Sequence, residues 1–160
     1  MSILKKVDVF VYRYPLDNPV ITSFGVMNNR PLLLLKVTDN NGIEGWGEIW
    51  CNFPLTGAEH RAKLVDNVFS PLLKNHEISS PRETFAFLTN KTKILSIQSG
   101  EPGPIAQCIA GIDIALHDLI AKKEKVPLWK KFGGKKKIIP IYASGINPTN
   151  PGLIVEKALS

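Results

Sequence analysis

Residues 31–50 read PLLLLKVTDNNGIEGWGEIW, two apolar runs separated by Asp39-Asn40-Asn41-Gly42. Asn-Gly between two such runs is the strongest short-range signal of a β-hairpin, because both residues tolerate the backbone a tight turn needs. Working outward, Val7, Val9 and Val11 alternate with Asp8, Phe10 and Tyr12 in the period of a strand that ends at Pro15. The connection that follows, LDNPVITSFGVMNNR over 16–30, is longer than a hairpin requires. Long loops inside compact domains are commonly functional. Residues 4–50 are therefore predicted to form a three-stranded antiparallel meander.

Downstream the pattern turns helical. Thr56 with Glu59 has the form of a capping box and predicts a helix over roughly 57–74. Ser80-Pro81-Arg82-Glu83 repeats the signal, with proline in the first turn. Gly100 to Pro104 breaks the chain before a third helix over about 104–123, where Ile105, Ile109, Ile112, Leu116 and Leu119 form one stripe. Ala110, Ile114 and Ala121 lie on the opposite side, which predicts burial between two layers. A short PLWKKF segment stops at Gly133-Gly134. The run IIPIYASGI, 138–146, reads as a buried strand, and Asn150-Pro151 as the start of a helix. The expected class is α+β, a meander followed by a helical bundle.

The chain has 160 residues, 44% hydrophobic and 21% charged, which suits one globular domain and argues against disorder. No uninterrupted apolar run approaches the ~20 residues that cross a bilayer. The N-terminal residues interrupt their apolar positions with Lys5, Lys6, Asp8 and Arg13, unlike a secretory h-region. With two cysteines and no C-x-x-C pair, a cytoplasmic location is expected, with no membrane partner. The net charge of +6 is local: residues 122–137 hold eight lysines against Glu124, and the rest of the chain sums to −1. A lysine run of this kind is ordinarily a solvated face or a helix C-terminus. Without an aromatic RNA-binding pattern or zinc-finger spacing, no nucleic-acid partner is expected.

Few motifs carry chemistry. Gly45-x-Gly47 lacks the third glycine of a phosphate cradle and lies inside a strand, so the glycines are expected to admit a close neighbour. Asp113 and His117 are spaced to meet on one helix, but two ligands do not make a metal site. Glu44 and Glu48 share a strand face with ~13 Å of backbone between them, too far for one bond. Cys51 has no histidine near it in sequence and is expected to be buried and inert. The residues alone assemble no catalytic group and no metal site.

Three segments together resemble the mandelate racemase/muconate lactonizing branch of the enolase superfamily: NGIEGWGEIW (41–50), AGIDIALHDLIAKKEKVPLWKKFGG (110–134) and IPIYASGI (139–146). The resemblance spans nearly the whole chain, and His117 stands where tryptophan is frequent. It implies an enolase-like N-terminal cap over 1–134, then only the first strand and helix of a truncated (β/α) barrel over 135–160. A full barrel takes ~250 residues, whereas 23 follow Lys137. The implied chemistry is abstraction of the proton α to a carboxylate, with magnesium stabilising the ene-diolate. Racemisation, cycloisomerisation or dehydration of an acid sugar or hydroxy acid would be the outcome.

In the family the acid–base residues and metal ligands lie on later barrel strands. The resemblance therefore implies no catalytic residue and no bound metal in this chain alone. It further implies a homo-oligomer and two loops that close over a small carboxylate substrate. Those loops map onto Pro15–Arg30 and Trp50–Gly57, making Thr22, Ser23, Phe24, Trp50, Asn52 and Phe53 the substrate-covering candidates. Ser144, Gly145 and Asn147 follow the first barrel strand as candidate rim residues. The alternative reading is a non-catalytic binding or assembly module built on the cap fold.

Overall fold

The computed structural model describes residues 2–23 and 25–142, with Gly152, Val155 and Glu156. Among the described residues the main elements run in the order β1 (Ser2–Thr22), β2 (Gly25–Asp39), β3 (Glu44–Ile49), α1 (Gly57–Leu64), α2 (Ser70–Leu73), β4 (Glu77–Ile78), α3 (Pro81–Gln98), α4 (Pro102–Glu124) and α5 (Leu128–Lys131). The described residues fall into two compact units. One comprises the described residues of 1–13 and 31–134, the other those of 14–30 and from 135 onward.

The sheet has four strands, not three, in the order β3-β2-β1-β4. The added strand pairs Ile78 with Ser2 and Glu77 with Ile3. At two residues it is too short to show an alternation in sequence. In the β2–β3 pair Leu33 faces Ile49 and Thr38 faces Glu44. The turn itself differs from the expected two-residue Asn-Gly form. Gly42 N–H donates to Asp39 O at 3.1 Å, and Gly42 alone takes a positive φ of 77°. Residues 40–42 thus form a three-residue hairpin loop, a tight turn followed by one left-handed glycine. Asp39 fixes this shape: its carboxylate accepts from the N–H groups of Asn41 at 2.8 Å and Ile43 at 2.9 Å, and from Ser2 Oγ at 3.1 Å.

Alternation along β2 buries Leu33, Leu35 and Val37 completely. On β3 the same face carries Gly45, Gly47 and Ile49, and α4 lies directly upon it. A Cβ on Gly45 would strike Ala115 O and lie 2.7 Å from Leu119 Cβ; one on Gly47 would strike Gly111 O. The missing side chains let helix backbone meet strand backbone, as the reading of these glycines predicts. Polar groups close the exposed edge of β3: Trp46 N–H donates to Asp118 at 2.8 Å, and Lys122 donates to Glu44 O at 3.1 Å. This covering removes the free strand edge that invites aggregation.

The stripe Ile105, Ile109, Ile112, Leu116 and Leu119 on α4 is buried as expected. The opposite side is only partly covered: Ala121 is buried, whereas Ile114 and Ala110 are exposed. By length and apolar composition α4 is able to cross a membrane, but half of that stretch is buried within the protein, so it reads as a core helix.

Ser80 caps α3 as predicted, accepting from Glu83 N–H at 3.2 Å. Thr56 does not cap α1, and Glu59 turns instead to Arg13. The predicted single helix 57–74 is interrupted by a π-helical turn at Val65–Phe69, where Ser70 N–H reaches back to Val65 O. Pro71 explains the interruption, since it removes one helical donor and its ring crowds the preceding turn.

Two further expectations change. The connection 15–30 is not a loop, because β1 continues to Thr22 and β2 begins at Gly25, leaving only a tip between them. No barrel strand is evident among the described residues. Ile138–Tyr142 has no strand pairing, with Ile138 97% and Ile141 92% exposed. A barrel strand draws its hydrogen bonds from neighbours on both sides, and no described strand flanks this segment. The remainder of that predicted strand, and most of the helix after Pro151, lie outside the described residues.

Candidate functional site

Between β3 and α1 the chain makes a tight loop, Trp50–Gly57, carrying three of the candidates. Trp50 is half exposed, and Asn52 and Phe53 are partly exposed. Cys51 points the other way, into the core, where burial raises its thiol above the ordinary range. Alternation continued from β3 explains this, since Ile49 and Cys51 fall on the buried face. The Phe53–Pro54 peptide is cis, and Gly57 N–H donates to Pro54 O at 2.7 Å, closing the bend.

Two arginines pin this loop. Arg13 grips both carboxylate oxygens of Glu59, at 2.9 and 2.6 Å, and donates to Leu55 O at 2.8 Å. Each partner stabilises the other's charged form: the bond to Glu59 raises the Arg13 pKa, and the bond to Arg13 lowers that of Glu59. Arg61 works from below. It is 3% exposed and donates through Nε to Gln107 Oε1 at 2.7 Å, through Nη1 to Gly57 O at 2.9 Å and through Nη2 to Phe53 O at 3.4 Å. Its guanidinium carbon lies 5.9 Å from the centre of the Trp50 ring.

Neither arginine was singled out by sequence reasoning. The signal for Arg61 was present: it falls on the stripe Ala58, Ala62, Val65 and Phe69, where every other residue is apolar and buried. A charge on a core stripe is costly unless satisfied, which marks it for attention.

Thr22 and Ser23 stand at the tip of the β1–β2 hairpin in the second unit, where Thr22 Oγ1 donates to Gly25 O at 3.0 Å. Phe24, Ser144, Gly145 and Asn147 lie outside the described residues. Asp113 and His117 come within 3.8 Å, and the His117 ring packs against Phe132 at 4.9 Å between centroids. Glu44 is taken by Lys36 at 2.8 Å. Among the described residues no three His, Cys, Asp or Glu side chains converge to hold a metal ion. Cys108 is buried, its thiol pushed up to about 12, and is no nucleophile at neutral pH. What the loop presents is an aromatic face and an amide on a braced bend.

The antiparallel sheet packed by helices is the fold of an enolase-superfamily cap domain. Residues 6–133 match the mandelate racemase / muconate lactonizing enzyme N-terminal domain, and the chain belongs to that family. A mandelate racemase/muconate lactonizing enzyme from Bordetella bronchiseptica RB50 has a crystal structure that superposes with a TM-score of 0.85 and 47% identity. The match covers 99% of this chain and 41% of that one. A racemase from Streptomyces coelicolor A3(2), solved with bound magnesium, gives a TM-score of 0.83 at 25% identity, over 98% and 42% of the two chains. The 3,6-anhydro-alpha-L-galactonate cycloisomerase of Streptomyces coelicolor is 26% identical over 90% of this chain and 38% of its own length. The chain thus spans about two fifths of the relatives it matches.

Proposed function

We propose that this chain is the substrate-covering part of an enzyme that abstracts the proton α to a carboxylate, acting as a racemase, cycloisomerase or acid-sugar dehydratase. In this reading residues 1–134 are the cap and residues 135–160 open the barrel. The family match over 6–133, in a chain two fifths the length of its relatives, is the observation that carries it.

The chain's own contribution is positional. Trp50, Asn52 and Phe53 are candidates to cover a small carboxylate substrate and keep water from the reacting carbon, and Thr22, Ser23 and Phe24 are candidates for the same role. Ser144, Gly145 and Asn147 take the rim. The described residues supply no ligand set for the magnesium seen in the Streptomyces racemase. No chemical step is assigned to this chain, which in this reading is inactive alone. Assembly into a homo-oligomer belongs to the same proposal.

The test is incubation of the purified chain with magnesium and a panel of acid sugars and hydroxy acids in D2O. The expected result is no deuterium at any α-carbon above the protein-free control. Exchange that disappears on adding chelator would overturn the proposal, because the active site would then lie within these residues.

A further inference from the structure

We infer that Arg61 is the positioning residue of the covering loop: buried beneath it, the guanidinium holds Trp50–Gly57 in the shape that presents Trp50. The inference rests on the reading of that loop as a cover, and it adds the residue that sets its geometry.

Arg61 touches the loop at two points and its junction with α1 at a third. It faces the Trp50 ring at 5.9 Å, binds Phe53 O at 3.4 Å in the middle and Gly57 O at 2.9 Å at the end, while Gln107 on α4 fixes Nε at 2.7 Å. The guanidinium spreads five donors over three nitrogens in a rigid planar fork, so it reaches two carbonyls and an amide oxygen that lie apart, whereas a lysine's three donors radiate from one nitrogen. The setting makes a packing role alone a poor explanation. A buried cation loses its hydration, and none of the three oxygens it meets belongs to a carboxylate. An apolar residue on the Ala58–Phe69 stripe would avoid that cost. What the arginine adds is its hydrogen bonds to the loop. Gly57 gives an independent sign. A Cβ there would lie 2.9 Å from Arg61 Nη1 and 3.0 Å from Cys51 O, so the loop ends on the one residue that leaves room for the guanidinium.

Hydrogen exchange on the full 160-residue chain without ligand tests this, together with acrylamide quenching of Trp50 emission isolated by subtracting a Trp50→Phe background. Arg61→Met and Arg61→Lys are each expected to speed exchange of the loop amides about tenfold or more, the loss of a charged hydrogen bond, and to raise Trp50 quenching. Exchange in β2 and α4 should stay within about twofold of the parent, since core protection follows global stability. Gly57→Ala, with Arg61 intact, should loosen the same amides. If the Arg61 variants do not fold, Gln107→Ala decides, because it frees the guanidinium from the helix. Equal acceleration of loop and core, or an unchanged loop in a folded variant, would overturn the inference. The measurement needs no substrate. A failed brace therefore leaves the covering role standing, and a failed covering role leaves the brace standing.

Discussion

Asp39 concentrates more structure than its size suggests. Burial alone would raise its pKa, but the N–H groups of Ile43 and Asn41 and the Ser2 hydroxyl outweigh it and hold the carboxylate below its ordinary range. A carboxyl whose folded pKa is depressed contributes stability that is complete above the unfolded value, about 3.9, and is lost as pH falls through the folded one. Asp39→Ala should therefore cost about 2 kcal/mol at pH 7, with the gap from the parent narrowing at pH 3, as read by urea unfolding at both. Gly47 makes the opposite kind of demand, for absence. Gly47→Ala sets a Cβ against Gly111 O and should destabilise by about 1–3 kcal/mol, as overpacking does. It should also quicken exchange at the Trp46 N–H that Asp118 holds. Unchanged stability in either variant contradicts the packing described.

At the scale of elements, the two sequence signatures of a capping box part company. Ser80 accepts the Glu83 N–H, whereas Thr56 makes no side-chain cap. Ser80→Ala should cost about 1 kcal/mol and Thr56→Ala close to nothing, measured by denaturation midpoints. The contrast shows what sequence patterns convey. Alternation and the α4 stripe were legible because each depends on residues within one element: Leu33, Leu35 and Val37, or Ile105 through Leu119. The Ser2–Ile78 pairing, the diversion of Glu59 to Arg13, and the Arg61 contacts with Phe53, Gly57 and Gln107 depend on partners far along the chain. No local window contains them. Continuation of β1 to Thr22 escaped for a related reason: Pro15 and Pro19 are tolerated where a strand's N–H groups face solvent. At the candidate site the arginines escaped because Arg13 meets Glu59 and Arg61 meets Gln107 from distant parts of the chain.

At the scale of the molecule, apolar surface stands open. Ile138, Ile141 and Tyr142 are each more than 85% exposed, and Ile94 and Ile97 on α3 about 70%. Exposed apolar residues in such number drive association when contiguous, so sedimentation velocity on the isolated chain should show mass rising with concentration. A sharp monomer throughout would count against that. Whether this chain covers substrate, as proposed, is decided by a chimera. In it this chain replaces the matched 41% of the Bordetella relative, and KM and kcat are measured for α-proton exchange on carboxylates with and without Trp50→Ala. The expected result is an active chimera in which Trp50→Ala raises KM or lowers kcat about tenfold or more, the loss expected when water re-enters a closed site. An active chimera indifferent to Trp50→Ala would contradict it.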